Sequence, residues 1–144
     1  MIAKCLHNTG ASLGPPDRGR FYGPETVFEL EIGGEYPVLG MGIFETTLLA
    51  LVVDDTRRPN WLPAGLFEFG YQQIPDEWEF VLLDGAAASG AESANRWVAR
   101  WGYEELVRSE SHSDDLIERD PAALDVFFRE LAKTGTRWWT PPQT

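Results

Sequence analysis

Few residues in this chain could act as nucleophiles or metal ligands. The single cysteine, Cys5, stands two residues before His7, and the other histidine, His112, lies far along the chain. On a strand, a spacing of two puts Cys5 and His7 on one face. A structural zinc site takes four ligands in a tetrahedron, and this set falls short without distant carboxylates, so no metal is assigned. A Cys–His pair would also need a third, orienting group and a shared target atom. The spacing supplies neither. A buried strand cysteine beside a rim histidine is the simpler reading.

Carboxylates are plentiful, at Asp54/Asp55, Asp76/Glu77/Glu79, Glu104/Glu105 and Asp114/Asp115. General acid–base chemistry needs one carboxyl in an apolar pocket and a second that stays ionised. Only Asp54/Asp55 directly follows a strand expected to be covered on both faces. Its competing reading is a solvated hairpin rim, paired locally with Arg57 and Arg58. No G-x-S-x-G, H-E-x-x-H or Walker pattern occurs. The Gly33-Gly34 and Gly40-Met41-Gly42 segments lack the basic residue and following helix of a phosphate cradle. The sequence therefore assigns no catalytic residue and no cofactor, and reads as a non-enzyme.

Composition narrows the partners. The chain has 144 residues, 43% hydrophobic, with six Trp and a net charge of −11. That length suits one domain, residues 1–144, able to bury a core without staples. The acids are spread along the chain, a field that opposes nucleic-acid phosphates and anionic lipid. It favours a basic protein partner and fast, salt-sensitive association with it. One cysteine excludes an internal disulfide. No signal peptide or membrane-spanning run is evident, so a soluble, cytoplasmic protein is expected.

The elements that must position these groups divide into a β-rich part, about 1–83, and a helical part, 84–144. Met1–His7 reads as a short first strand and Ala11–Pro24 as a loop pinned by Leu13, Phe21 and Tyr22. Val27–Ile32 alternates, with Phe28, Leu30 and Ile32 on one face, predicting a half-buried strand. Apolar runs follow at Tyr36–Phe44 and Thr46–Val53, divided by Glu45. Pro37 predicts an edge or a bulge, and Gly40 and Gly42 a bend. Leu48–Val53 should be a central strand, covered on both faces. The Asp54–Asn60 hairpin, Trp61-Leu62, a single turn at Pro63-Ala64-Gly65 and a closing strand at Leu66–Phe69 complete a small bent sheet. Phe80–Leu83 is a possible last strand, and Asp84–Ala91 a connector. Beyond it, Ala94, Trp97, Val98 and Trp101 have the spacing of one helix face. Tyr103–Arg108 reads as its continuation, with Leu106 and Val107 as the apolar pair, and Ser109–Asp115 reads as a turn. Asp120 caps a helix with Pro121 at its first position and Leu124, Phe127, Phe128 and Leu131 as its stripe. Gly135 ends it, and Trp138-Trp139 should dock back on the body.

Glu35–Phe69 resembles an SH3-type small barrel, through Glu35–Phe44, Leu48–Val53 and the W-L-P-A-x-L-F-E run at Trp61–Glu68. The chain is also similar in organisation to small acidic bacterial proteins with I-G-x-E-Y, D-D and W-x-P-A-x-L-F-E landmarks, here Ile32–Tyr36, Asp54-Asp55 and Trp61–Glu68. Those proteins are associated with the immunity proteins of polymorphic or contact-delivered toxin systems. The resemblance implies an α+β inhibitor that occludes the active site of a cognate toxin, often a basic nuclease or a nucleotide-directed enzyme. It assigns no contact residue. From the acids and aromatics near the central stretch, the expected contacts are Asp54, Asp55, Trp61, Glu68, Asp76, Glu77, Trp78 and Glu79. The alternative is an SH3-like adaptor binding a peptide.

Overall fold

A computed structural model describes residues 1–83 and 96–135. The Asp84–Ala91 connector, Ala94 and the Trp138-Trp139 tail lie outside the described residues. The rest is α+β: seven antiparallel strands in one sheet and four helices, three of them after the last strand.

The sheet is built on β2 (Glu35–Phe44), whose apolar residues are buried along most of its length. One edge of β2 pairs with β3 (Thr47–Val53), and beyond that lies β4 (Pro59–Pro63). The other edge is shared by two strands. β1 (Ile2–Cys5) takes Glu35–Pro37, and β7 (Trp97–Gly102) takes Gly40–Phe44. β5 (Phe67–Glu68) pairs beyond β1, and β6 (Glu79–Leu82) beyond β7. The sheet stays open: among the described residues β4, β5 and β6 are each paired on one side only. A closed SH3-like barrel is therefore not what these strands form.

A register shift at Leu39 is the bulge that Pro37 and the glycines signal. Because side chains alternate, one extra residue moves everything after it to the other face. Gly40 and Gly42 consequently face the helices. A Cβ at Gly42 would stand 2.6 Å from the Trp97 ring and 2.9 Å from the Ala99 carbonyl oxygen, and one at Gly40 would stand 2.2 Å from Leu106. Their bareness lets Trp97 and Leu106 lie directly on β2.

β3 is covered on both faces from Leu49 to Val53, as expected, whereas Leu48 is exposed. Ala50 and Val52 enter a first core with Ala3, Cys5, Phe28 and Leu30. Leu49, Leu51 and Val53 enter a second, beneath α2 (Glu104–Arg108), α3 (His112–Ile117) and α4 (Pro121–Lys133). Phe127 is wholly buried there, worth about 1.5–3 kcal/mol by transfer. The start of α4 is as predicted: the Asp120 side chain accepts from Ala123 N at 3.1 Å and Pro121 opens the helix.

Four expectations are corrected. Trp97–Trp101 is a strand rather than a helix, so the division into a β part and a helical part fails at β7. Its apolar spacing fits either state, and pairing with β2 on one side and β6 on the other decides it. Ser109–Asp115 is not only a turn: α3 starts within it and buries His112, Ser113 and Leu116. Val27–Ile32 is not a strand, because its backbone groups are used one at a time. Phe28 N donates to Asn8 O, and Glu29 O accepts from Asp55 N. Phe28 and Leu30 are still buried, but Ile32 is exposed. Finally, the Ala11–Pro24 loop contains a short helix, α1 (Pro15–Arg18). Leu13 and Tyr22 anchor it, the latter donating from its hydroxyl to Trp61 O at 2.9 Å, while Phe21 is exposed.

Candidate functional site

The described residues form two adjoining clefts that share a wall of Phe44 and Trp97. The two rings meet edge to face at 5.2 Å, and Trp61 lies 4.7 Å from Trp97. The wall depends on a second bulge. β7 pairs Ile43 with Ala99 and Phe44 with Trp97, leaving Val98 as the extra residue. That places Trp97 and Arg100 on the same face of β7 and turns Trp101 to the other.

The first cleft, about 500 Å³, lies between the segment after α1, the β2–β3 hairpin and α3. Phe21, Phe44, Trp61, Trp97 and Ile117 make it largely apolar. Glu45 stands at its mouth in the left-handed region (φ 56°) and bridges Arg20 at 2.9 Å and Arg96 at 3.1 Å. The second cleft, about 870 Å³, lies between β6, β7, α2 and the start of α3. Val81, Leu83, Trp97, Arg100 and Arg108 line it. Arg108 is already engaged, donating to Glu79 at 2.6 and 3.2 Å.

The buried polar groups nearby are mostly satisfied. Asp54, 5% exposed, accepts from Thr56 N at 3.0 Å, from the Thr56 hydroxyl and from Asn60 Nδ2 at 2.7 Å. Asn60 Oδ1 in turn accepts from Arg119 at 2.8 Å. Trp61 Nε1 donates to Ser113 Oγ at 3.0 Å. Tyr103 and His112 share a 2.6 Å hydrogen bond through Nε2. Burial pushes the tyrosine hydroxyl up and the imidazole down from their ordinary values. Arg100 differs: it is 4% exposed, yet no hydrogen bond or ion pair reaches its guanidinium among the described residues, and its Nε is buried without a partner.

The expected contact residues fall into three groups. Asp54 and Trp61 (7% exposed) are buried; the carboxylate holds the β3–β4 loop, and the indole is reached only through the first cleft, whose floor it helps form. Asp55, Glu68, Asp76 and Glu77 are exposed. Asp55 accepts from the Tyr36 hydroxyl at 3.0 Å, which itself accepts from Glu31 N, and burial holds that phenol up to about 12. Glu35, Lys4 and Glu68 are neighbours across β2, β1 and β5. Exposed Glu29, Glu31, Glu35, Asp55 and Glu68 thus gather at one end of β1, with Lys4 among them. Glu77 acts on the amino terminus at the other end of β1. Trp78 is half-buried against the first core, and Glu79 points to the second cleft. Cys5 and His7 diverge: the thiol is buried, donating to the His7 carbonyl at 3.3 Å, and the imidazole is exposed.

The sequence reading missed Phe44, Trp97 and Arg100 as a group. Read as a helix, 94–101 leaves Arg100 outside the apolar stripe, and the bulge at Val98 has no sequence signature to reverse that. The arginine between two tryptophans, Trp97 and Trp101, was the available signal. Compared with protein families, curated proteins and solved structures, the chain matches none.

Proposed function

We propose that this chain is an immunity-type inhibitor, which binds a basic bacterial toxin domain and occludes its active site without catalysis of its own. The observation that supports this most is the gathering of exposed acids around β1, at Glu29, Glu31, Glu35, Asp55 and Glu68, with Asp76 and Glu77 nearby in sequence order after β5. Together with the net charge of −11, it favours a basic partner and steers its approach. The contact set is accordingly Asp55 and Glu68 at one end of β1 and Glu77 at the other, with Asp76 and the half-buried Trp78 next to Glu77 in the chain. Tight interfaces combine such anchors with a polar surround that excludes water. Co-expression with the toxin domain encoded beside it tests the proposal: growth should be rescued and a complex isolated. No rescue and no complex would refute it.

A second reading, an SH3-like adaptor, draws on the strand, one-turn break and strand order at Pro59–Glu68 and on the aromatic first cleft. It expects a pull-down to return a short linear motif rather than a basic folded domain.

A further inference from the structure

We infer that the second cleft is a binding site for a monocarboxylate with an apolar body, whose carboxylate is held by Arg100. The cleft lies at the Phe44 end of β2, away from the acids at its Glu35 end, so the inference does not depend on the toxin-binding reading.

Arg100 carries the argument. An arginine cannot shed its charge in a protein, so burying one without a partner is costly. Structural arginines escape that cost through ion pairs or carbonyls. Arg119 does so here, donating to Asn60 and to the Pro59 carbonyl, and Arg18 does so through the Gly10 and Leu13 carbonyls, although its Nε too is bare. Arg100 has no such bond among the described residues, and its Nε is left bare. Its one close neighbour of matching character is the Trp97 ring, 5.5 Å beneath the guanidinium carbon. A cation over an aromatic face is fixed in orientation but keeps its hydrogen-bonding edge free. That edge belongs to a residue lining an 870 Å³ cleft, within the size range of small-ligand sites.

The surroundings select the anion. Glu110 and Asp114 line the same cleft. Asp114 acts on Arg100 electrostatically without reaching it in an ion pair, and burial lowers the guanidinium from its ordinary value. With Glu79 paired to Arg108, Glu110 and Asp114 oppose any anion at Arg100 and a doubly charged phosphate most, while a single carboxylate meets the smaller repulsion and matches the planar guanidinium fork. Phe44, Trp97, Val81 and Leu83 supply the apolar wall for the body of the ligand. The carboxylate could belong to a free acid or to the C-terminus of a peptide ending in an apolar residue. The recognition chemistry is the same.

The test is a calorimetric titration of the full chain with phenylacetate, phenylacetamide, inorganic phosphate and a tetrapeptide ending in a free phenylalanine carboxylate, repeated on Arg100→Met. Phenylacetate or the tetrapeptide should bind saturably, and whichever is tighter identifies the source. Phenylacetamide should bind about tenfold more weakly or not at all, and phosphate likewise. In Arg100→Met the carboxylate binding should be lost while the unliganded protein melts at a higher temperature, because an unpaired buried charge has been replaced by an apolar chain of similar length. The inference is overturned if neither carboxylate binds the wild type, if the amide or phosphate binds as well as the acid, or if Arg100→Met binds unchanged. A lower melting temperature for Arg100→Met together with no carboxylate binding by the wild type would make Arg100 a structural residue stacked on Trp97.

Discussion

At the scale of single residues, the buried polar groups set where the molecule is fragile. Asp54 is surrounded by donors from Thr56 and Asn60, and through Asn60 it fixes Arg119 of the segment between α3 and α4. Asp54→Ala would strand those donors in a site that water reaches poorly. A loss of about 2 kcal/mol in urea unfolding is expected. His112 makes a pH-dependent contribution. Its imidazole is held below the ordinary 6.5, first by burial and then by Arg100, against the opposing pull of Glu105 and Asp115. The unfolded chain therefore binds a proton there more readily than the folded one. The stabilisation is full above about pH 6.5 and is lost as pH falls towards the depressed folded value. Stability measured from about pH 7 down to about pH 5.5 should fall with a steeper slope in the wild type than in His112→Gln. Equal slopes would show that His112 protonates as freely in the fold as outside it.

Among the elements, β2 and β7 decide the architecture, and they do so through two bulges and two glycines. Gly42→Ala should destabilise by about 1–3 kcal/mol, since the new methyl group meets the Trp97 ring and the Ala99 carbonyl, and backbone cannot retreat. Gly40→Ala should cost less, because its closest obstacle is the end of the flexible Leu106 side chain. Thermal melts of the two variants side by side check the order. These same features mark the limit of what the chain spells out in advance. β2, β3, the Ala64–Leu66 turn and α4 are legible because their signals are local: an apolar run, a Pro-Ala-Gly break, an Asp-Pro cap. The Trp97–Gly102 strand is not, because Trp97, Val98 and Trp101 satisfy a helical and a bulged-strand spacing equally. Only the long-range partners Gly40 to Phe44 choose between them. Arg100 was hidden for the same reason. Likewise, Asp54 and Asp55 are adjacent and chemically identical, and only the fold turns one inward and leaves the other exposed.

For the molecule as a whole, charge is the property that acts at a distance. Acids exposed around β1 and a net charge of −11 predict that association with a basic partner is fast at low salt and slows steeply as salt screens the field beyond about 10 Å. No helix among the described residues is long and apolar enough to cross a membrane. The exposed acids, and not the buried Asp54 or Trp61, are the groups proposed to recognise a basic toxin domain. The most direct measurement is the association rate of the chain with the basic toxin domain that co-expression identifies as its proposed partner, across ionic strength, for the wild type and for Asp55→Lys/Glu68→Lys/Asp76→Lys/Glu77→Lys. The expected result is a complex whose association rate falls with salt in the wild type, and is at least about tenfold slower and nearly independent of salt in the variant. A complex formed equally fast by both proteins, or no complex with the wild type, would contradict it.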